Sequence, residues 1–302
     1  MVYHEPVLLR ESVDGLNIHA DGIYVDVTFG GGGHSREILS RLKGGRLIAF
    51  DQDPAAERNK IDDERFLLIR SSFRFLKKYL RYHQALPADG ILADLGVSSH
   101  QFDEAERGFS TRFEGELDMR MNPGISRSAS DIINQYSEEE LSRIFMEYGE
   151  ITNARKLANL IVNERKNNPV KTTGELVDII RLQAYGAREQ QYFAKVFQAL
   201  RIEVNEELTA IDEMLNDSAE VLNNGGRLAV ISYHSLEDRL VKNFFQTGNR
   251  EGESKKDFYG NKENVPFRSI TKKPIIPSEE ELKKNPRSRS AKLRVGERII
   301  NN

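Results

Sequence analysis

Cysteine is absent from this 302-residue chain, which excludes disulfides, thiol nucleophiles and thiolate zinc sites. Its six histidines lack the close spacing of metal ligands, so no metal is expected. No apolar run approaches the roughly 18 residues that span a bilayer. The N-terminal region also lacks the basic, apolar and small-residue succession of a secretory signal, so a cytoplasmic setting and no membrane partner are expected. Two catalytic signatures are missing as well. The phosphate loop G-x-x-x-x-G-K-[ST] occurs nowhere, and no G-x-S-x-G elbow accompanies the adjacent His234-Ser235 pair, which disfavours a hydrolase. With 38% hydrophobic and 30% charged residues, the remainder is an ordinary globular composition, long enough for one large domain or two smaller ones.

What the chain does concentrate is glycine. The run Val25-Asp26-Val27-Thr28-Phe29-Gly30-Gly31-Gly32-Gly33-His34-Ser35 joins a short apolar strand to four glycines where a helix should begin. Without Cβ atoms such a turn bends sharply and lets a ligand approach the backbone, and the helix start offers unpaired N–H groups. A second strand, Leu47-Ile48-Ala49-Phe50, ends in Asp51, 21 residues after Gly30. That is the spacing at which a nucleotide-binding βαβ unit places a carboxylate for ribose hydroxyls. A dinucleotide fingerprint starting at Gly30 would need glycine at position 35, where Ser35 stands. Asp26, at the strand end beside the loop, would repel phosphates and suit a cation. The ammonium and sulfonium of S-adenosylmethionine meet both requirements, so a methyl donor is favoured over a nicotinamide, with a ligand-free glycine turn as the bland alternative.

Strands near 23–27, 46–50, 65–69 and 90–93 alternate with helical patterns, the signature of a doubly wound parallel α/β sheet. After Asp94-Leu95-Gly96-Val97-Ser98-Ser99 the pattern becomes loop-like through Arg107-Gly108-Phe109 and Asp118-Met119-Arg120-Met121, then purely helical. This predicts an inserted all-helical domain at 103–190, between the two parts of a main domain at 1–102 and 191–302. Capping pairs mark its helices, Ser137 with Glu140 and Thr172 with Glu175, and Leu141, Ile144, Phe145 and Tyr148 form a core stripe. A stripe from Phe193 through Phe197, Leu200, Val204, Leu208 and Ile211 to Leu215 predicts one long helix returning to the sheet, stopped by Gly225-Gly226. Arg227-Leu228-Ala229-Val230-Ile231-Ser232 then resumes the sheet, and residues 233–239 form another strand-to-helix junction.

The net charge of −3 hides an asymmetry, because residues 268–298 carry ten Lys or Arg against four Glu. Within them, residues 285–295 read as a turn and a strand with Ala291, Leu293 and Val295 on one face and Ser290, Lys292 and Arg294 on the other. Such a strand could present cations to RNA phosphates, although charge alone favours a solvated edge strand.

Ligands of open α/β sheets bind at the C-terminal ends of strands. That rule selects residues 30–34, Asp51, 94–101 and 234–238, with Phe73 beyond the third strand as a flat contact for adenine. Asp94 could orient an incoming amine, or could equally bind nearby backbone N–H groups.

These residues resemble a known family. Asp26-Val27-Thr28-Phe29-Gly30 with Gly32-Gly33-His34-Ser35, then Asp51-Gln52-Asp53-Pro54, Asp94-Leu95-Gly96-Val97-Ser98-Ser99, Arg107-Gly108-Phe109-Ser110 and Leu117-Asp118-Met119-Arg120-Met121 stand in its order. Phe197-Gln198-Ala199-Leu200-Arg201-Ile202 and His234-Ser235-Leu236-Glu237-Asp238-Arg239 follow. Together they look like the bacterial ribosomal RNA small-subunit methyltransferase H family, from His4-Glu5-Pro6 to Arg287-Ser288-Arg289-Ser290-Ala291-Lys292-Leu293-Arg294.

The resemblance implies a Rossmann-like class I methyltransferase sheet with an inserted helical substrate-recognition domain. It further implies S-adenosylmethionine-dependent methylation of the exocyclic N4 of a cytidine in the decoding region of small-subunit (16S) ribosomal RNA, probed as free RNA or within the small ribosomal subunit. Carried over by motif position, the cofactor residues are Gly32, Gly33, His34, Asp51, Phe73, Asp94 and Gln101, with Asp94 also the candidate catalytic group. It also lends weight to the basic C-terminal strand as an RNA contact. The chain departs from the family pattern at His100 and Glu116, where prolines are common, and at Tyr233, where phenylalanine is common. A non-catalytic RNA-binding assembly factor and a small-molecule methyltransferase are the competing classes.

Overall fold

Val25, Ile48, Ile91 and Val230 are fully buried, as expected of central strands covered on both faces. The computed structural model describes residues 6–184, 186–253 and 265–300; His4 and Glu5 of the N-terminal motif lie outside them. The chain divides into two compact units, Met1–Gly96 with Leu208–Asn302, and Val97–Glu207.

The first unit is built on β1 (Ile23–Asp26), β2 (Arg46–Asp51), β3 (Phe66–Arg70), β4 (Ala88–Asp94), β5 (Leu222–Ser232), β6 (Phe267–Ser269) and β7 (Lys292–Arg298). Their order is β3-β2-β1-β4-β5-β7-β6. Neighbours among the first five run parallel, whereas β7 is antiparallel to both β5 and β6. This mixed seven-stranded order is the Rossmann-like class I methyltransferase arrangement. The chain winds outward from β1 through β2 to β3, then returns to place β4 on the other side of β1. That reversal is the switch point at which doubly wound sheets open a ligand crevice.

Helices cover both faces. Alpha-helices α1 (Leu9–Gly15) and α2 (Gly33–Arg41) bury Val13, Leu16, Ile38 and Leu39 against Leu47, Ala49, Leu92 and Ile231. The opposite face receives α3 (Leu76–Tyr82), through Leu76 and Leu80, and two later helices.

The second unit contains α4 (Ser99–Asp103), α5 (Ala129–Gln135), α6 (Glu138–Glu147), α7 (Ala154–Glu164), α8 (Thr173–Arg181) and α9 (Glu189–Asn205). Leu141, Ile144, Phe145, Leu157, Ile161, Leu176, Ile180 and Phe193 form its core. The capping pairs read from the sequence are present: the Glu140 N–H donates to Ser137 Oγ at 3.2 Å, and the Ser137 N–H to Glu140 Oε2 at 2.8 Å. In the first unit, α10 (Glu207–Val221, counting from its first residue at the unit boundary), α11 (Ser235–Thr247) and α12 (Glu279–Lys284) complete the set.

Three expectations need correction. The single long helix is two, because Glu206 adopts a left-handed φ of 50° between α9 and α10. Asn205 explains the break: its side-chain amide donates to Met119 O and Arg201 O and accepts from the Met121 N–H, so it serves the neighbouring loop. The apolar spacing runs on across the break, and for that reason the sequence hides it. In consequence α9 packs in the helical core and α10 on the sheet, so the helical unit spans 97–207 where 103–190 was expected. The Gly225-Gly226 pair is not the helix stop; α10 ends at Val221 and the glycines lie within β5. Finally, β7 is no edge strand. It is flanked by β5 and β6, so its backbone is paired on both sides.

Candidate active site

The glycine loop is stapled to the ends of two neighbouring strands. The Phe29 N–H bonds the carbonyl of Phe50 on β2, and the Gly30 N–H donates to Asp51 Oδ2 at 2.8 Å. On the other side, the Asp94 N–H at the end of β4 donates to Thr28 Oγ1 at 2.6 Å. Asn59 closes the loop from above by donating to Gly30 O at 2.9 Å. Glycine is required at two positions for different reasons. Gly32, the N-cap of α2, has φ 74°, a region that penalises a Cβ. Gly33 has ordinary φ, but a Cβ there would lie 2.1 Å from Pro6 Cγ.

Asp26 does not serve as a ligand carboxylate. It is fully buried and spends its oxygens inside the loop, accepting from the Thr28 N–H at 3.1 Å and from Ser35 Oγ at 2.6 Å. Burial pushes its pKa up. The argument that favoured a cationic ligand therefore passes to the carboxylates on either side, Asp51 and Asp94.

Both of these stand at strand ends and both titrate high. Asp51 accepts from the N–H groups of Gly30 and Asp53, and burial outweighs those bonds, raising it to about 6. Asp94 rises to about 7, chiefly through burial, with Glu237 adding to the rise and a hydrogen bond from Tyr233 opposing it. The Tyr233 hydroxyl donates to Asp94 Oδ1 at 2.7 Å. His34 approaches the other oxygen: its Nδ1 lies 3.8 Å from Asp94 Oδ2. The His34 Nε2 stands 3.1 Å from the carbonyl of Val7, which can only accept, so the ring proton sits on Nε2. Burial lowers the His34 pKa and holds the ring neutral, with the Nδ1 lone pair facing Asp94.

Phe73 opens the 3-10 turn Phe73–Phe75 after β3, a turn capped by the Ser72 hydroxyl. Gln101 belongs to the second unit, where it is buried and completes the capping box of α4 with Ser98. The structure thus sets Asp51 and Asp94 at the strand ends that hold the glycine loop leading into Gly32, Gly33 and His34, puts Phe73 just past the adjoining strand, and gives Gln101 a role in its own helix.

A model of the MraW methylase family matches residues 1–299. The chain belongs to that family. It is 58% identical over 299 residues to "Ribosomal RNA small subunit methyltransferase H" of Bacteroides thetaiotaomicron, covering 99% of this chain and 98% of the relative. The protein of the same name from Christiangramia forsetii is 55% identical, with 99% of each chain covered. Among solved structures, an rRNA methylase from Streptococcus thermophilus aligns over 99% of both chains with a TM-score of 0.40 and 13% identity.

The donor of this methylase is S-adenosylmethionine, and the residues present fit it. Two carboxylates, Asp51 and Asp94, flank a glycine loop, one able to accept ribose hydroxyls and the other able to attract a cation. Gly30, at φ 49°, has no atom crowding the space a Cβ would take, apart from Thr28 O at 4.0 Å.

Sequence reasoning assigned no site role to Tyr233, which it noted only as part of the junction at 233–239 and as a departure from a common phenylalanine. The signal that could have found it is its position, one residue past the C-terminal end of β5 beside β4. His234 caps α11 together with Glu237, whose Oε1 lies 3.1 Å from His234 Nε2. Asp238 receives Arg294 Nε at 2.6 Å and Lys292 Nζ at 3.3 Å, and Arg294 is 9% exposed. Arg294 is therefore turned onto α11, a correction to the reading of that residue as a cation offered to solvent or RNA, whereas the Lys292 side chain touches Asp238 and stays 42% exposed. Arg287 and Arg289, in the 3-10 turn before β7, are exposed.

Proposed function

We propose that this chain methylates the exocyclic N4 of a cytidine in the decoding region of 16S ribosomal RNA, acting in the cytoplasm on the small ribosomal subunit. At the coarser level it is an S-adenosylmethionine-dependent methyltransferase of small-subunit ribosomal RNA. The observation that carries the reading is Asp94: a carboxylate at the end of β4, beside the glycine loop, with one oxygen held by Tyr233 and the other unclaimed by a hydrogen-bond donor among the described contacts.

Gly32, Gly33, His34, Asp51 and Phe73 would hold the donor. Bound there, the donor supplies an electrophilic methyl group on a sulfonium. The difficulty is the acceptor, because a cytosine amine delocalises its lone pair into the ring. Asp94 addresses this by accepting an N–H bond, which localises electron density on nitrogen and aligns the lone pair for in-line attack. The base must also leave its stack. We assign recognition of the surrounding RNA to the helical unit.

The test is incubation with labelled S-adenosylmethionine and small subunits from cells lacking the gene, followed by nucleoside mass spectrometry. Label in N4-methylated cytidine supports the reading; label in another nucleoside, or turnover unaffected by Asp94→Ala at saturating donor, overturns it.

A further inference from the structure

Asp94 has two oxygens, and the fold treats them differently. Oδ1 accepts from the Tyr233 hydroxyl at 2.7 Å, while Oδ2 lies 3.8 Å from the unprotonated Nδ1 of His34. The backbone of Asp94 is fixed independently by its N–H bond to Thr28 Oγ1. The tyrosine is equally constrained. Its own N–H donates to Glu237 Oε2 at 2.8 Å at the start of α11, and its ring packs in the cluster formed with α1 and α2. Gly96 leaves the ring room on the β4 side, where a Cβ would stand 3.5 Å from Tyr233 Cδ2.

We propose that Tyr233 is a positioning residue for methyl transfer, holding Oδ1 of Asp94 so that Oδ2 is the oxygen presented to the acceptor amine. The inference rests on the reading of Asp94 given above and extends it to a residue that touches neither donor nor acceptor.

The chemistry of the pair supports the role. A phenol that donates to a carboxylate favours the ionised, accepting form. Burial and the neighbouring charge of Asp94 push the Tyr233 pKa well above 10, so the hydroxyl keeps its proton throughout the working range. The other titratable groups around the pair are His34 on α2, Asp26 on β1, Glu237 on α11 and Glu281 on α12. Asp26, Glu237 and Glu281 are carboxylates and His34 is held neutral, so none of them favours an ionised Asp94. Tyr233 is the group that does.

The experiment compares the parent with Tyr233→Phe, using Asp94→Asn to assign the Asp94 signal. Aspartate carboxyls are labelled with carbon-13, the Asp94 resonance is titrated in the folded, donor-free protein, and kcat and kcat/KM are measured from pH 6 to pH 9.5 on unmodified small subunits. The expected result is an upward displacement of the Asp94 titration by about one pH unit, the usual scale of a hydrogen bond to a charged group. The acid limb of the rate profile should move with it. At pH 7 the variant then turns over about fivefold more slowly than the parent and recovers to within about twofold at pH 9.5, with KM for the donor little changed.

A packing role alone would scale the rate equally at every pH. An unmoved carboxyl titration, or a uniformly scaled profile with an unmoved titration, overturns the inference. A displaced titration with an unmoved rate limb instead upholds the Tyr233 contact and overturns the reading of Asp94 as the group that engages the amine, so the two failures are distinguishable.

Discussion

Replacing Asp94 by asparagine should make the donor-free protein more stable while abolishing its activity, with the gain in stability building up as pH rises from about 4 to 7. The unfolded chain releases the Asp94 proton near the ordinary aspartate value of 3.8, whereas the folded chain keeps it until about 7. Between those values the native state binds more protons than the unfolded state, so stability falls as pH rises through that window and is level above it. At ~1.4 kcal/mol for each pH unit, the full gap is worth about 4 kcal/mol by pH 8. Asparagine keeps an oxygen that can accept from Tyr233 and has no charge to bury, so it escapes that cost. The parent and Asp94→Asn should therefore melt together below about pH 3.5, diverge between about pH 4 and 7, and keep that separation at pH 8. There the variant should lead by about 2 to 4 kcal/mol, or several degrees in Tm. Differential scanning calorimetry across that range, without donor, measures it. A variant no more stable than the parent at pH 8, or a difference that does not grow with pH, would refute the reasoning. Saturating donor should narrow the gap, since a bound cation favours the ionised carboxylate that only the parent has.

Gly33→Ala places a methyl group against Pro6; calorimetric titration should show donor affinity down at least tenfold, on the scale of one to two kcal/mol of forced rearrangement. Ser35→Ala leaves a fully buried carboxylate oxygen of Asp26 without its donor, and urea unfolding should register a loss of about 1 to 3 kcal/mol. Arg294→Ala breaks the buried pair with Asp238 and should cost about 3 kcal/mol near neutral pH. Because Arg294 holds the Asp238 pKa below its usual value, that difference should shrink as pH falls through the acid range. The same variant should leave the salt dependence of RNA binding unchanged, while Arg289→Ala, at an exposed cation, should reduce the slope by about one if its side chain meets a phosphate. A filter-binding series in rising salt separates the two.

The parallel half of the sheet was legible because a buried parallel strand is a short apolar run ending in a turn, and 23–27, 46–50, 65–69 and 90–93 each have that form. The loop was legible for a related reason, since four consecutive glycines have few other uses. What the sequence concealed depends on partners distant along the chain. Nothing in Lys292 or Arg294 announces Asp238, and a strand that is polar on one face reads alike whether it meets solvent or a helix. Asp26 was misjudged because it looks like a strand-end carboxylate; only the fold shows Thr28 and Ser35 closing over it. The break at Glu206 was hidden because apolar periodicity reports burial, and burial continues on both sides of it.

The pairing of the C-terminal strand, which its sequence does not announce, bears on the chemistry. A five-stranded parallel sheet would end at β5, and an edge strand is free to fray at its end. Here β7 pairs with β5 along its terminal stretch, from Arg227 opposite Glu297 to Ser232 opposite Lys292. Its next polar residues, Lys292 and Arg294, pull on Asp238 in the first turn of α11, and Glu237 in that same turn accepts the Tyr233 N–H. Tyr233 is thus held from the strand before it and from the helix after it, and its hydroxyl inherits that fixity. A hydrogen bond can orient a carboxylate only if its donor is more rigid than the group it orients, and β7 supplies the rigidity. On this argument the basic C-terminal segment contributes to catalysis through its buried face: loosening it by Arg294→Ala should weaken the Tyr233 to Asp94 contact and move the acid limb of the rate profile in the same direction as Tyr233→Phe, by a smaller amount.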